Sequence, residues 1–318
     1  MSNARFEVGD LPPILTAAAM READQHTIDS VGIAGSTLME SAGREVVRVA
    51  KELTPLGRVT HVVCLCGKGN NGGDGFVIAR YLAQAGAKVS VVSMSPRSGF
   101  KGDALLNLQI LERLSEQDLV ASLKIEFFSD QLQYPENPDL IIDALLGTGL
   151  SSEVRPPLAS VVKWANGQSA QILSVDLPSG LNADSGAILG VAIKAHATVT
   201  LGSLKAGLVL ESGPDVCGEV RVADIGIPPA VLSSRALVAG CAFLSGDQYV
   251  RPRLSPRHRS GHKYSNGLSI VAGGSSSYPG AVALAARGAA RAGSGYVVCL
   301  APGSIRNLLL EKLDEIPV

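Results

Sequence analysis

Five short runs are apolar almost without interruption: VTHVVCLC at 59–66, KVSVVSM at 88–94, DLIIDA at 139–144, QILSVD at 171–176 and ATVTLG at 197–202. A half-solvated strand alternates polar and apolar residues, so continuity signals a strand covered on both faces, and the stretches between the runs carry helical spacing. The pattern predicts a three-layer αβα domain, a mainly parallel sheet with helices on both sides. Two helices precede the first run. One follows Thr16, with Ala17, Met20, Ala23 and Asp24 in its first turns; the other follows the N-cap candidate Ser36, with Leu38, Met39, Ala42, Val46 and Val49 on one stripe. Both read as core-packing helices.

Composition narrows the class without changing the fold. The 318 residues are 46% hydrophobic and 18% charged, which describes a globular chain with room for one large domain and part of another. With 28 basic and 29 acidic residues the net charge is −1, so nothing marks a nucleic-acid or anionic-membrane partner. No apolar stretch approaches the roughly 18 residues of a spanning helix, and MSNARFEVGDLPP lacks the regions of a signal peptide, so a cytoplasmic location is expected. The five cysteines, 64, 66, 217, 241 and 299, form no C-x-x-C pair and mostly sit in apolar runs, where a thiol acts as a small hydrophobe.

Chemistry collects at strand ends. Asp143 closes LIID, Asp176 closes LSVD, and the loop GKGNNGGDGF at 67–76 follows the first run. A parallel sheet brings all three to its carboxyl edge, where open α/β folds bind ligands. A lone strand-end aspartate is more simply a turn cap; two at one edge beside a glycine loop point to a site. Gly67, Gly69 and Gly72 fit G-x-G-x-x-G between a strand and a helix, the dinucleotide fingerprint, which raises an NAD(P)-dependent oxidoreductase as one reading. That fingerprint expects an acid at the tip of the second strand; the tip here is MSPRSG, where Arg97 could meet a 2′-phosphate, and no hydride-transfer partner follows. Asn70, Asn71 and Asp74 are also foreign to a plain phosphate cradle. The loop offers oxygen as well as N–H.

GKGNNGGDGFVIARYLAQAGAKV, DALLGTGL at 143–150, VDLPSGLNADSG at 175–186, ATVTLGSLKAGL at 197–208 and VADIGIP at 222–228 together resemble the NAD(P)H-hydrate epimerase family, the YjeF amino-terminal domain, and the opening helices are similar as well. The resemblance covers roughly 11–244 in the family's order of motifs and implies a Rossmann-like domain over 1–244. It implies a small-molecule substrate, NADH or NADPH hydrated at C6 of the nicotinamide (NADHX, NADPHX), whose R and S forms are interconverted with no redox cofactor. That carbon is a carbinolamine, so the ring nitrogen can expel the hydroxyl as water and leave an iminium open to attack from either face, although ring opening is an alternative route; a positioned acid and base suffice. Asp176 is the expected acid/base. The resemblance further implies a potassium ion held by Asn71, Asp143 and Ser179, hard oxygen ligands that suit such a cation, with backbone carbonyls completing the shell. It places substrate contacts at Asn70, Asn71, Gly72, Gly73 and Asp74, at Gly147, Thr148, Gly149, Leu150, Ser151, Ser152 and Glu153, and at Asp176. Gly147 and Gly149 would let backbone amides reach the pyrophosphate. The wording after Gly149 departs from the family's commoner form.

Beyond 244 the composition shifts. SGDQYVRPRLSPRHRSGHKYSNG reads as a linker, taken as 245–260, and LSIVAGG at 268–274 with YVVCLA at 296–301 begins a new βαβ unit over 261–318. This part resembles the start of the ADP-dependent NAD(P)H-hydrate dehydratase family, a ribokinase-like fold, through His262, Lys263, Gly267, Gly273, Gly274, Ser275, Tyr278, Gly280 and Ala281. The resemblance implies ADP or ATP as cofactor for that activity in a longer parent. The later G-x-G-D segment is missing, so the expectation for these 318 residues is an incomplete domain without dehydratase activity and with an uncovered apolar face. Several relatives dimerise, so a homodimer is compatible with the resemblance. A non-catalytic scaffold of the same fold stays open as an alternative; retention of Asn71, Asp143, Asp176 and Ser179 argues for an enzyme.

Overall fold

Residue-by-residue burial explains the uninterrupted runs. The computed structural model describes residues 11–55, 60–120, 122–129, 131–254 and 256–318, so Val59 and the first ten residues of the signal-peptide reading lie outside the described residues. The chain divides into two compact units, 1–246 and 247–318.

In the first unit seven strands form one sheet: β1 His61–Cys66, β2 Lys88–Ser93, β3 Leu123–Phe127, β4 Leu140–Ala144, β5 Gln171–Val175, β6 Ala197–Leu201 and β7 Glu219–Ala223. Every pairing is parallel and the order is β3-β2-β1-β4-β5-β6-β7. The chain reverses direction across the sheet between β1 and β4, where Cys64 stands opposite Ile142. Successive residues of β1 feed opposite cores: Val62, Cys64 and Cys66 join one cluster, Val63 and Leu65 another. The first cluster is covered by α1 Ala17–His26, α2 Gly35–Leu53, α3 Asn70–Gln84 and α4 Gly102–Glu116; the second by α5 Leu158–Asn166, through Val161, Val162 and Ala165. This is the expected three-layer, Rossmann-like arrangement.

Thr16 caps α1, its hydroxyl accepting from the Ala19 amide at 3.2 Å. Ser36 does not cap α2. The helix starts at Gly35, where the Ala34 carbonyl accepts the amides of Thr37 and Leu38, and Ser36 lies inside the first turn. β3 and β7 were not among the apolar runs, because both are edge strands whose sequences, LKIEF and EVRVA, alternate. A small second sheet joins Pro13–Leu15 to Leu204–Lys205 and Ala242–Phe243, tying the amino-terminal segment to the chain after β6.

In the second unit, strands Leu268–Ala272 and Tyr296–Leu300 pair in parallel and helix Pro279–Arg291 covers one face through Val282, Ala283 and Ala286. Leu268, Ile270 and Leu300 are each more than half exposed, so the sheet keeps apolar side chains open to solvent. Within the stretch read as a linker, Asp247–Val250 forms one helical turn and Arg251–Arg253 a 3-10 turn. Among the described residues no helix is long and apolar enough to cross a membrane.

Candidate active site

The sheet's reversal point opens a crevice at the carboxyl ends of β1 and β4, the position where such sheets take ligands. Bare backbone meets there. A Cβ on Gly67 would lie 1.8 Å from the Leu145 carbonyl oxygen, and one on Gly72 would lie 1.8 Å from that of Gly67. The Gly67 amide also donates to the Ala144 carbonyl at 3.0 Å. These two glycines are demanded by the fold. Gly69 and Gly149, in contrast, face open space, and a Cβ on Gly147 would make only ordinary contacts, 3.5 Å from Asn71 Cβ and 3.6 Å from Asp176 Oδ2. Nothing in the protein requires glycine at 69 or 149, which leaves their amides clear for an incoming group.

Asp143 ends β4 with both oxygens engaged. Oδ2 accepts from Ser174 Oγ and the Ser179 amide, each at 2.8 Å; Oδ1 accepts from Ser179 Oγ at 2.5 Å and the Leu145 amide at 3.4 Å. Burial pushes its carboxyl up from the ordinary range, and the donors from Ser179, Ser174 and Leu145 oppose that shift. Asn71 stands in the first turn of α3, against Gly147. Its amide oxygen and nitrogen are both buried and both without a hydrogen-bond partner. An orphaned buried amide in a native fold calls for an explanation, a water or an ion among them, and amide, carboxylate and hydroxyl oxygens are ligand types that suit a hard cation. Among the described residues no group of three His, Cys, Asp or Glu could hold a metal ion.

Asp176 follows β5 with φ +69°, a left-handed conformation that costs a non-glycine residue energy and persists where its surroundings enforce it. Its amide donates to Val199 at 2.8 Å. Oδ1 is crowded: Lys205 Nζ donates at 2.5 Å, the Leu201 amide at 3.2 Å and Thr200 Oγ1 at 3.4 Å. Oδ2 takes no hydrogen bond among the described residues and lies toward Gly147. Lys205 is 1% exposed, its ammonium satisfied by Asp176, Thr200 Oγ1 at 3.1 Å and the Leu201 carbonyl at 2.6 Å. Two more carboxyls share this interior. Burial lifts Asp74 well above its ordinary value, with the charges of Asp176 and Asp24 adding and Lys205 opposing. Asp24, on α1, is raised to about 6 by burial, held back by Lys205 and raised further by Asp176.

A cleft of about 660 Å³ joins these groups. Of the residues expected to touch substrate, Asn70, Asn71, Asp74, Gly147, Thr148, Gly149, Leu150 and Asp176 line it. Gly72 and Gly73 are buried behind the loop, Gly73 against Met39. Ser151, Ser152 and Glu153 are exposed and outside the lining; Asp143 and Ser179 are wholly buried beneath it. Asp24 and Lys205, which line the cleft, were not among the expected site residues. Lys205 stood in a quoted motif, and a lysine amid ATVTLGSLKAGL was the available signal; Asp24 looked like one more position on a packing helix. Arg97, the candidate for a 2′-phosphate, is held by Glu112 through two hydrogen bonds of 2.7 and 2.8 Å. A cavity of the same volume at the opposite edge, lined by His61, Lys88, Ser90 and Glu126 among others, contains none of the expected site residues.

Residues 35–207 match the family described as YjeF-related protein N-terminus. The chain is 43% identical over 313 residues to the bifunctional NAD(P)H-hydrate repair enzyme Nnr of Salinibacter ruber, covering 96% of this chain and 58% of that protein. It is 37% identical over 224 residues to the NAD(P)H-hydrate epimerase of Rhodopirellula baltica, covering 70% of this chain and 87% of that one. Among solved structures, that of yeast ynu0 aligns with a TM-score of 0.55 at 23% identity, over 66% of this chain and 86% of the other, and so supports the fold. The chain spans little more than half the length of the bifunctional relatives it matches. The glycine loop, Asp143, Asp176, Ser179 and Lys205 all fall inside the matched span, and the chain accordingly belongs to the YjeF-related family through that family's amino-terminal domain.

Proposed function

We propose that the first unit interconverts the R and S forms of hydrated NADH or NADPH in the repair of damaged nicotinamide nucleotides, with Asp176 as an acid/base. The observation that carries this reading is the division of labour within one carboxylate: Oδ1 is fixed by three donors while Oδ2 is left open in a cleft beside Gly147 and Asn71. The names of relatives over the same residues support the substrate class.

The chemistry asks little. At C6 of the hydrated ring the nitrogen lone pair drives the hydroxyl out as water, and water returns to the planar iminium from the other face. A fixed carboxylate near that carbon stabilises the cation and handles the proton of water, contributions of about 10²- to 10⁴-fold for a placed acid or base. Apolar side chains of the lining, including Leu38, Met39, Leu146 and Ile225, would limit bulk water around the ring. Gly69, Gly147 and Gly149 give the pyrophosphate access to backbone amides.

Asn71, Asp143 and Ser179 would hold a potassium ion, Asn71 supplying the amide that has no protein partner. The ion would contribute positive charge near the substrate's phosphates. The second unit fits the opening of an ADP-dependent dehydratase domain in a longer parent, and a cytoplasmic setting suits the substrate. The test is chiral chromatography of purified S- and R-NADHX in potassium buffer, with wild type and Asp176→Asn. Acceleration above the spontaneous rate by the wild type alone supports the assignment. A folded wild type that accelerates nothing would point instead to a binding module, and equal activity of both proteins would remove Asp176 from its role.

A further inference from the structure

The cleft contains a carboxyl that this mechanism leaves without a task. Asp24 lies on α1, an element separate from the turn that carries Asp176, and it lines the same cleft. Its position is fixed. Ala19, Met20 and Ala23 are buried in the core, the Ala17 amide donates to Asp184 Oδ1 at 2.6 Å, and Thr27 Oγ1 donates to the Ala23 carbonyl at 2.7 Å. Among the described residues its carboxyl accepts no hydrogen bond, although it is mostly buried. It is neither a cap nor half of an ion pair, so the fold gains nothing evident from a carboxyl there.

The groups acting on it are Asp176, Lys205 and Asp74; Arg21, Lys68 and Asp103 are the other charged side chains that line the cleft. Three carboxyls around a single buried ammonium cannot all be ionised at low cost. Asp176 holds that ammonium directly, with Lys205 Nζ at 2.5 Å, whereas Asp24 and Asp74 make no such bond among the described residues. Asp74 is 7% exposed, and burial drives its carboxyl well above the ordinary value, toward the protonated form. Asp24, at about 6, can gain and lose a proton near neutrality.

Resting on the epimerase reading, we propose that Asp24 is a second catalytic residue, the proton donor to the departing hydroxyl, and that Asp176 receives the proton of the returning water. The Asp24 proton passes to the C6 hydroxyl oxygen, the C6–O bond breaks with its electron pair leaving in water, and the N1 lone pair becomes the second bond of the iminium. Water then bonds to C6 as that pair returns to N1, and its surplus proton goes to Asp176. The net result is one proton moved from Asp24 to Asp176, the state ready for the opposite epimer. Repetition in the same direction needs the proton carried back, through solvent or through Lys205, which is bonded to Asp176 and acts on Asp24.

A donor must be protonated, so wild-type kcat/KM should fall as pH rises through the Asp24 titration, from about pH 6 upward. Asp24→Asn should lower kcat about 10²- to 10⁴-fold with little change in KM and abolish that alkaline limb. Asp24→Glu should keep a limb and part of the rate. A thermal melt of each variant separates lost chemistry from lost folding; should Asp24→Asn not fold, the Glu variant decides by the presence or absence of its limb. An active wild type whose rate and limb are unchanged in the Asp24 variants overturns this proposal and leaves Asp176 in place. An inert wild type overturns the epimerase reading itself.

Discussion

Replacing Asp24 by asparagine should stabilise the first unit, and the size of the gain follows from its surroundings. A carboxyl moved from an ordinary 3.8 to about 6 binds its proton more tightly in the folded chain than in the unfolded one. Below about pH 3.8 the group is protonated in both states and costs nothing. Between 3.8 and 6 the unfolded chain ionises first, so stability drains away as pH rises, and above 6 the deficit is constant. At ~1.36 kcal/mol per pH unit the ceiling is ~3 kcal/mol; Asp24 is not fully buried, and solvent screening reduces this to ~1–2 kcal/mol. Asparagine keeps the shape and never ionises. Urea unfolding followed by the fluorescence of Trp164 is the assay, because the chain's single tryptophan packs in the first unit, 5.0 Å from the Tyr134 ring. The variant should be more stable by that amount at pH 7.5 and equal to wild type near pH 3.5. No gain at pH 7.5, or a gain of the same size at both pH values, would refute the reasoning. A variant both firmer and slower would match a site that sacrifices stability for chemistry.

Two further outcomes test the crevice itself. Gly67→Ala forces a Cβ against the Leu145 carbonyl and should cost ~2–3 kcal/mol, whereas Gly69→Ala, facing open space, should cost ~1 kcal/mol or less; thermal melts of the two compare them directly. Asn71→Ala removes two unpartnered buried atoms, so in choline buffer its melting temperature should equal or exceed that of wild type; on the proposed cation site, potassium should raise the melting temperature of wild type and not that of the variant.

Much of this site could be read before the fold. Continuous apolarity marked β1, β2, β4, β5 and β6, and with parallel strands assumed, Asp143 and Asp176 had to share an edge with the glycine loop. The edge strands escaped because LKIEF and EVRVA alternate charged with apolar residues, as half-solvated strands do. Ser36 misled because a good cap residue stands one position inside a helix that begins with the Ala34 carbonyl. Lys205 and Asp24 needed the tertiary structure. The lysine is 29 residues beyond Asp176 and meets it only because the chain returns along β6, and Asp24 reaches the cleft from a helix that precedes the whole sheet.

The interlocked backbone at Gly67, Gly72 and Leu145 bears on how the protein meets its ligand. Loops after two different strands touch through main-chain atoms with no side chain between them, and the Gly67 amide ties them together. Neither loop can swing without displacing the other, so the crevice is set before anything arrives. Little ordering entropy is then lost on association, and the encounter should follow single-step kinetics, its rate rising in proportion to ligand concentration without the plateau of a closing lid.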